Sequence, residues 1–364
     1  MLPYLCFFLL GLINFTFYEN IKKRNEAGSC FFLVLSIINL IFFSSLRSAS
    51  VGTDTRTYLA FWNSNVSFSA LLAKTTFFSE FGFELFSYLT KYLSAELFDG
   101  SKIPFLMFIS SIVLILTYSS IIKYSENKTL SLFCFLMLGF YTFHFNGARQ
   151  AIAIAIFLFS LRYVLNSNPK KYFACLFVGF LFHKSILICM PFYYFFRQPL
   201  SIRMVLFIVL SSVVMALSVN VLVDFASGFD RRYSGYASRD FEGGGVVSTI
   251  FYIVMLFWLY FVKKSNNIDN KLYDISLLSM LIVSCIGALS VALSLDPSGI
   301  LRLSAYFSQF LIFALPISIY SFKDTRERLL VLLLSIIFMI MYFYLTTTSF
   351  SNLAPYRFGF DMYF

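Results

Sequence analysis

The chain has 364 residues, of which 59% are hydrophobic and only 13% are charged, and its net charge is +10. Soluble domains carry about 25% charged residues, so this composition excludes an ordinary soluble domain and predicts a polytopic membrane protein. The apolar runs are continuous rather than alternating, which favours a bundle of α-helices over a β-barrel. Cytoplasmic loops and lipid headgroups explain the positive charge, and no basic block with interleaved aromatic residues indicates a nucleic-acid partner.

The first two apolar runs predict a pair of transmembrane helices. Residues 2–17 have no basic segment before them and no small-residue cleavage pattern, which favours a helix over a signal peptide. The Lys-Lys-Arg sequence at 22–24 places the next loop in the cytoplasm and the N-terminus outside, and residues 31–46 then cross outward.

A long polar-to-amphipathic stretch follows at residues 47–102, and we expect it to form an extracytoplasmic loop. Within it, residues 68–72 and 81–93 are half apolar, which suits helices lying on the membrane surface. A second extracytoplasmic loop is predicted at residues 224–246. We expect residues 1–364 to form a single integral membrane domain, because no soluble linker interrupts them.

The rest of the chain alternates apolar runs with lysine-marked inner ends, so we expect roughly 11–12 transmembrane helices in all. Residues 172–196 are interrupted by His183 and Lys184, which predicts a hairpin of two short helices with His183 at its outer tip. The other predicted crossings are residues 103–122, 130–145, 149–162, 204–223, 246–262, 272–295, 302–323 and 329–345.

Arg149 and Gln150 lie at the junction of two apolar runs of membrane length. An arginine at such a depth is costly unless it faces a wet cavity or a partner, which makes Arg149 a candidate functional residue. The alternative is an arginine that reaches the headgroups and only anchors a helix end.

Arginine predominates over lysine on the predicted outer face, whereas lysine predominates inside. Sorting of positive charge treats both residue types alike, so it does not explain this difference. The guanidinium group binds phosphate oxygens through two parallel hydrogen bonds, which favours an outer site for a diphosphate. The outer arginines are Arg47, Arg56, Arg149, Arg231, Arg232, Arg239, Arg302 and Arg357, against Lys74, Lys91, Lys102 and Lys184.

The common catalytic motifs are missing from the sequence. Two histidines and six scattered cysteines offer no metal-binding or redox spacing, so neither a metal nor another cofactor is predicted. No GxSxG elbow, P-loop or dinucleotide fingerprint occurs. What remains is group transfer from an activated donor, such as a lipid-diphosphate sugar, which needs cations for the departing diphosphate and a base for the acceptor hydroxyl.

Three segments resemble the EpsG family in order and spacing. The first is Arg47 followed by Val51-Gly52-Thr53-Asp54-Thr55, with Tyr58 and Phe61 after it. The second is Arg149-Gln150 followed by an alanine-isoleucine helix, and the third is Phe182-His183-Lys184-Ser185-Ile186-Leu187, which closes in Pro191. Together they cover much of the chain between Arg47 and Pro191.

This resemblance implies a GT-C-like membrane glycosyltransferase grouped with the Wzy-type O-antigen and exopolysaccharide polymerases. Such enzymes join undecaprenyl-diphosphate-linked oligosaccharide repeats, in lipopolysaccharide or exopolysaccharide biosynthesis, at the periplasmic side of a bacterial inner membrane. The lipid-linked oligosaccharide and membrane lipids are then the expected partners, with a chain-length regulator as a further candidate.

Roles for individual residues follow as hypotheses. Arg149, with Arg47 and Arg302, would bind the donor diphosphate and stabilise its developing charge. Either Asp54 or His183 would be the base, although Asp54 also suits a helix cap and His183 a helix break at headgroup level. The remaining candidates for diphosphate or sugar binding are Tyr58, Gln150, Lys184, Arg231 and Arg232.

Two other functions stay open. A flippase or transporter for the same lipid-linked sugar would show charges deep in several helices and duplicated halves, but the charges here lie at one face and no internal repeat is evident. A membrane acyltransferase that modifies polysaccharide would need a catalytic histidine, which His183 could supply. The arginine-rich outer face favours a phosphate ligand over an acyl group.

Overall fold

The protein is described here by a computed structural model that covers residues 1–63, 67–69, 80–218, 245–294, 300–349 and 351–359. All of its named elements are helices, as expected for an all-α polytopic membrane protein. They are α1 (Leu2–Lys22), α2 (Glu26–Ser45), α3 (Thr55–Asn63), α4 (Phe81–Leu97), α5 (Ile103–Tyr124), α6 (Lys128–Met137), α7 (Phe143–Asn146), α8 (Ala148–Leu165), α9 (Pro169–Phe182), a 3₁₀ helix (Lys184–Cys189), α10 (Phe192–Phe195), α11 (Ile202–Leu217), α12 (Val246–Asn266), α13 (Lys271–Ala292), α14 (Ile300–Leu303), α15 (Ala305–Ser308), α16 (Leu311–Tyr320) and α17 (Thr325–Ser349).

Within the described ranges, seven helices are long and apolar enough to cross a membrane, or eight if the bent pair Leu301–Ser308 and Leu311–Tyr320 counts as one span. This confirms a polytopic membrane protein. The number is smaller than the roughly 11–12 expected, because several predicted crossings contain breaks. The seven helices are α1, α2, α5, α8, α12, α13 and α17.

Two of those breaks shape the region around Arg149 and His183. The predicted crossing at 130–145 is α6, then a turn with Gly139 at φ +77°, and then the short α7. The predicted hairpin at 172–196 is α9, which ends at Phe182, followed by the 3₁₀ helix and α10. Apolar composition alone does not distinguish an intact helix from irregular backbone that the protein itself buries.

The chain divides into two compact units. The first comprises Met1–Arg162, Lys170–Leu187 and Leu329–Phe364, and the second comprises Tyr163–Pro169 and Ile188–Arg328. The single integral membrane domain expected from the sequence remains a prediction.

Aromatic side chains form the core of the first unit. The ring of Tyr4 on α1 lies 5.1 Å from that of Phe43 on α2, 5.7 Å from that of Phe343 on α17 and 5.3 Å from that of Tyr356. Edge-to-face pairs at such distances stabilise beyond their buried area. Polar groups add to the packing, since Ser36 on α2 donates its hydroxyl to the Gly11 carbonyl at 2.7 Å.

The C-terminal residues 351–359 fold back onto the first unit. Gly52 N–H donates to Asn352 O at 2.9 Å, Ser48 N–H donates to Arg357 O at 2.8 Å, and Tyr4 Oη donates to Leu353 O at 2.9 Å. This segment therefore fixes the chain that follows α2, which carries the first of the three sequence motifs.

The second unit is organised around α12 and α13. Gly287 on α13 permits close approach, because a Cβ there would lie 2.7 Å from Thr249 Oγ1 on α12. At the other end of the pair, Lys263 Nζ lies 2.5 Å from Asp274 Oδ1. Within this unit, the chain bends by 47° between Leu301–Ser308, which covers most of α14 and all of α15, and α16.

Candidate active site

Four helix ends meet in the first unit, and each brings one of the chemically important residues. Arg149 lies in the first turn of α8, His183 follows the last residue of α9, and Glu80 precedes α4. The start of α3 joins them, because Ala148 N–H donates to Tyr58 Oη at 3.1 Å. The structure thus brings together parts of the chain that are about 100 residues apart in sequence.

Glu80 is the centre of this arrangement, and its side chain is only 2% exposed. Its Oε2 accepts a hydrogen bond from an Nη of Arg149 at 2.5 Å, and its Oε1 lies 2.6 Å from Nδ1 of His183. One carboxylate therefore holds both a cation and an imidazole. We call Glu80, Arg149 and His183 the Glu80 cluster.

The Arg149 side chain is 19% exposed, so most of it is surrounded by the protein. Its guanidinium carbon is 4.9 Å from the ring centre of Phe83 and 5.9 Å from that of Tyr58, so two aromatic faces contact it in addition to the carboxylate. These contacts favour a functional role for Arg149 over a role that only anchors a helix end, and both interpretations remain predictions. The His183 side chain is 24% exposed, so neither partner of Glu80 is fully buried.

The cluster stabilises the ionised form of Glu80. Burial raises the pKa of this carboxyl group, but the hydrogen bond and charge of His183 and the charge of Arg149 outweigh burial and lower the pKa to about 2. Glu80 is therefore a carboxylate at neutral pH, and it compensates one positive charge.

Close packing explains why Glu80 reaches both partners. Gly82, two residues later, lies so near the end of α9 that a Cβ would be 2.8 Å from the carbonyl oxygen of Leu181. Only glycine allows α4 to start there. Four residues further along α4, the Phe86 ring lies 6.4 Å from the ring of Phe182, which fixes the same two helix ends against each other.

Arg47 has a different environment from Arg149. It is fully buried, with its Nε 3.3 Å from Thr55 Oγ1, an Nη bonded to the Ser44 carbonyl and its guanidinium carbon 4.2 Å from the ring centre of Phe145. Burial lowers the pKa of Arg47 to about 10, so the group is still cationic at neutral pH. This placement favours a structural role for Arg47, in fixing the loop after α2. The predicted contact of Arg47 with a diphosphate stays a prediction.

Asp54 lies beside the helix start that carries Arg149. Thr53 N–H donates to Asn146 Oδ1 at 2.8 Å, and Asn146 also donates from Nδ2 to Ser351 O at 2.8 Å. The half-buried Asp54 carboxylate accepts a hydrogen bond from Thr53 Oγ1 at 3.1 Å. Asp54 directly precedes α3, and its carbonyl accepts the Tyr58 N–H at 3.1 Å, so its backbone forms part of the first turn of that helix.

The other predicted ligand residues have different positions. Gln150 and Tyr58 are buried in the first unit, and Lys184 is half-buried at the start of the 3₁₀ helix. Arg302 lies on α14 in the second unit. The pair Arg231 and Arg232 lies outside the described residues, as do most of the predicted surface segment at 68–72 and of the loop at 224–246.

Sequence reasoning missed two residues of this site, Glu80 and Asn146. A signal for Glu80 was available, because an arginine between two apolar runs, such as Arg149, requires a partner and Glu80 is an acidic residue directly before an amphipathic segment of the outer loop. Glu80 and His183 are also donors of the kind that metals take. In the described part of the chain, however, no three His, Cys, Asp or Glu side chains group as a metal site would require.

Comparison with known proteins gives one significant result. The model of a family described as the EpsG family matches residues 29–358, nearly the whole chain. The match includes the three sequence motifs and every residue of the Glu80 cluster. No curated protein and no solved structure shows significant similarity to the chain.

Proposed function

The chain belongs to the EpsG family, a family of Wzy-like polymerases of exopolysaccharide or O-antigen, and from this premise we propose the substrate and mechanism. The substrate is an undecaprenyl-diphosphate-linked oligosaccharide repeat unit in the bacterial inner membrane. The chain joins such units at the periplasmic face by a GT-C-like glycosyl transfer. A chain-length regulator is a proposed partner beyond the lipid-linked substrate and the membrane lipids.

The Glu80 cluster is the observation that carries this proposal. Transfer from a lipid-diphosphate sugar needs a cation near the departing diphosphate and a proton acceptor near the attacking hydroxyl. Arg149 and His183 are groups of these two kinds, and both are bonded to one carboxylate at 2.5 and 2.6 Å. Both are partly exposed, so a substrate can contact them.

The proposed reaction forms one glycosidic bond, breaks the bond to the lipid diphosphate and transfers one proton. A hydroxyl oxygen of the acceptor sugar forms a bond to the anomeric carbon of the donor, and the bond from that carbon to the phosphate oxygen breaks. The lipid diphosphate leaves with the electron pair and is stabilised by Arg149. Asp54 or His183 takes the proton of the attacking hydroxyl.

Other residues have supporting roles in this proposal. Arg302, Arg231 and Arg232 are proposed ligands of the donor or acceptor diphosphate, and Lys184 and Gln150 are proposed sugar or phosphate ligands beside Arg149. Tyr58 bounds the same space, since its ring already contacts the guanidinium group of Arg149.

A gel of surface polysaccharide tests the function directly. The gene is deleted and complemented with the wild type, with Arg149→Ala, or with Arg56→Ala, a control that removes an exposed arginine from the neighbouring α3. We expect the deletion to reduce a ladder to a single repeat, and we expect the wild type and Arg56→Ala, but not Arg149→Ala, to restore it.

Two other results would contradict the proposal in recognisable ways. If no repeat reaches the surface of the deletion strain, the chain flips or assembles repeats rather than joining them. If the ladder is unchanged and only its chemical modification differs, the chain is an acyltransferase. Equal amounts of the protein in the membrane fraction, measured on blots, are required for each comparison.

A further inference from the structure

The contact between Glu80 and His183 determines where the imidazole carries its hydrogen. An ionised carboxylate accepts hydrogen bonds but cannot donate them. At 2.6 Å from Glu80 Oε1, Nδ1 of His183 must therefore carry a hydrogen. In the neutral ring, this leaves the lone pair on Nε2, on the side of the imidazole away from Glu80.

We propose that Glu80 is a positioning residue of the polymerisation reaction, which holds His183 with Nε2 as the general base and fixes Arg149 beside it. This inference rests on the proposed function and goes beyond it, because it selects His183 over Asp54. Glu80 touches neither the substrate nor the reacting atoms. Asp54 keeps a structural role at the start of α3.

The geometry of the cluster supports this assignment. His183 follows the end of α9, and its ring is fixed by a carboxylate that is itself fixed by Arg149 at 2.5 Å. When Nε2 takes a proton, the resulting imidazolium lies next to the negative charge of Glu80, which stabilises it. A base oriented through its other ring nitrogen by a buried carboxylate is a general arrangement for proton transfer.

The proton balance of the step is complete. The acceptor hydroxyl loses its proton to Nε2 of His183 as its oxygen bonds to the anomeric carbon. The bond between that carbon and the donor phosphate breaks, and the lipid diphosphate leaves. Arg149 remains charged throughout, and the proton on His183 passes to solvent or to the departing diphosphate, so the cluster returns to its starting state.

A substitution of Glu80 tests the positioning role through its kinetics. In Glu80→Gln the amide oxygen can accept from Arg149, but the amide NH₂ then faces Nδ1 and forces the ring hydrogen to Nε2. We expect kcat to fall on the order of a hundredfold or more, with the KM for the lipid-linked donor changed about threefold at most. Glu80→Asp keeps the charge and is expected to recover part of the activity.

The assay uses the full chain, purified and reconstituted into lipid nanodiscs. The probe is a membrane extract from the deletion strain, which holds the strain's own lipid-linked repeat units, and joined repeats are measured on gels. Glu84→Gln is the matched control, because Glu84 lies on α4 one turn after Glu80 and is not bonded to His183. We expect this variant to retain wild-type kcat.

The ring nitrogens give a second measurement that does not depend on activity. The chain has two histidines, so ¹⁵N-histidine labelling gives spectra with two imidazoles. His144 is an internal reference, since its Nδ1 faces the Tyr141 carbonyl at 2.5 Å and must also carry a hydrogen. At a pH where both rings are neutral, we expect His183 to carry its hydrogen on Nδ1 in the wild type and in Glu80→Asp, and on Nε2 in Glu80→Gln.

The outcomes separate this inference from the function it rests on. If the reconstituted wild type joins repeats and Glu80→Gln does so at the same kcat, the positioning role is wrong and the polymerase assignment stands. A wild-type His183 with its hydrogen on Nε2 would equally overturn the inference. If the wild type joins no repeats while the ring nitrogens behave as expected, the geometry is right and the proposed function is wrong.

Discussion

Arg47 and Arg149 make an instructive pair, because the sequence presents both as outer arginines at helix ends and the structure gives them opposite environments. Arg47 is fully buried and bonds neutral acceptors, the Ser44 carbonyl and the Thr55 hydroxyl. Arg149 is partly exposed and pairs with the carboxylate of Glu80. We call these the Arg47 region and the Arg149 region.

The difference teaches how one residue type supports two tasks. A guanidinium group that is fully buried, as that of Arg47 is, cannot be reached by a ligand unless the protein around it moves, and its removal leaves buried acceptors without the hydrogen bonds that it donates. A guanidinium group that is partly exposed and shares a carboxylate with a histidine can exchange part of its contacts for a phosphate. We therefore expect the Arg47 region to set the position of the loop and the Arg149 region to take part in the reaction.

The largest effect is expected in the Arg149 region. Arg149→Met should lower kcat per folded molecule by about a hundredfold to a thousandfold, because the charge that stabilises the departing diphosphate is lost. Arg149→Lys should recover only a small part, since an ammonium group lacks the planar donors that bind Glu80 and phosphate together. The measurement is repeat joining in nanodiscs, normalised to the monodisperse protein recovered by gel filtration.

In the Arg47 region we expect a loss of stability instead. Arg47→Met leaves the Ser44 carbonyl and the Thr55 hydroxyl without their donor and removes the contact with Phe145, so unfolding should become easier by about 3 kcal/mol. Thermal unfolding in detergent measures this, and kcat per folded molecule should stay within about threefold of the wild type. If Arg47→Met melts like the wild type but loses affinity for the lipid-linked donor, Arg47 is a ligand and the contrast between the two regions disappears.

The sequence predicts the spanning helices well, for a physical reason. Continuous apolar runs between lysine-marked ends indicate crossings at 103–122 and 246–262, and the structure has helices at Ile103–Tyr124 and Val246–Asn266. The turn around Gly139 was not predicted, because the residues beside it, such as Phe140 and Tyr141, are apolar and buried. Hydropathy measures the preference for an apolar environment, and both lipid and protein interior satisfy it.

The candidate site shows a similar division. Arg149 and His183 stand out in the sequence because charged or titratable groups interrupt apolar runs. Glu80 does not, because it lies in a polar stretch where an acidic residue is ordinary. Its importance depends on a fold that brings it to residues 69 and 103 positions away in the chain, and no local pattern records such a pairing.

Acid should weaken the Arg149 region specifically. The pKa of Glu80 is about 2 in the folded protein, against an ordinary value of 4.5, so the unfolded chain takes up the proton first as the pH falls. Ionised Glu80 therefore contributes about 3 kcal/mol to the free energy of unfolding. This contribution is complete above about pH 4.5 and is lost as the pH falls toward 2.

Comparison of the wild type with Glu80→Gln isolates this contribution from those of other carboxylates. The difference in unfolding free energy between the two proteins should shrink as the pH falls from about 4.5 toward 2. Arg47→Met should show the same acid dependence as the wild type, because the described contacts of Arg47 include no carboxylate. If the difference in unfolding free energy between the wild type and Arg47→Met also shrinks at low pH, by the same amount as that between the wild type and Glu80→Gln, the two regions are electrostatically coupled.

The smallest effect concerns the contact that joins the two regions. Gly52 has φ +91°, and a Cβ there would lie 2.8 Å from both Asn146 Oδ1 and the Phe145 carbonyl oxygen, so Gly52→Ala combines backbone strain with a steric clash. Gly100→Ala is the matched control, because Gly100 has φ +76° and a Cβ there meets nothing within 4 Å. Strain alone should cost about 1 kcal/mol in each variant, and the clash should add about 1 kcal/mol or more in Gly52→Ala only. If thermal unfolding shows that Gly52→Ala and Gly100→Ala lose equal stability, the loop after α2 can shift away from Asn146 at no cost. The Arg47 region would then not set the position of Asp54 relative to Arg149.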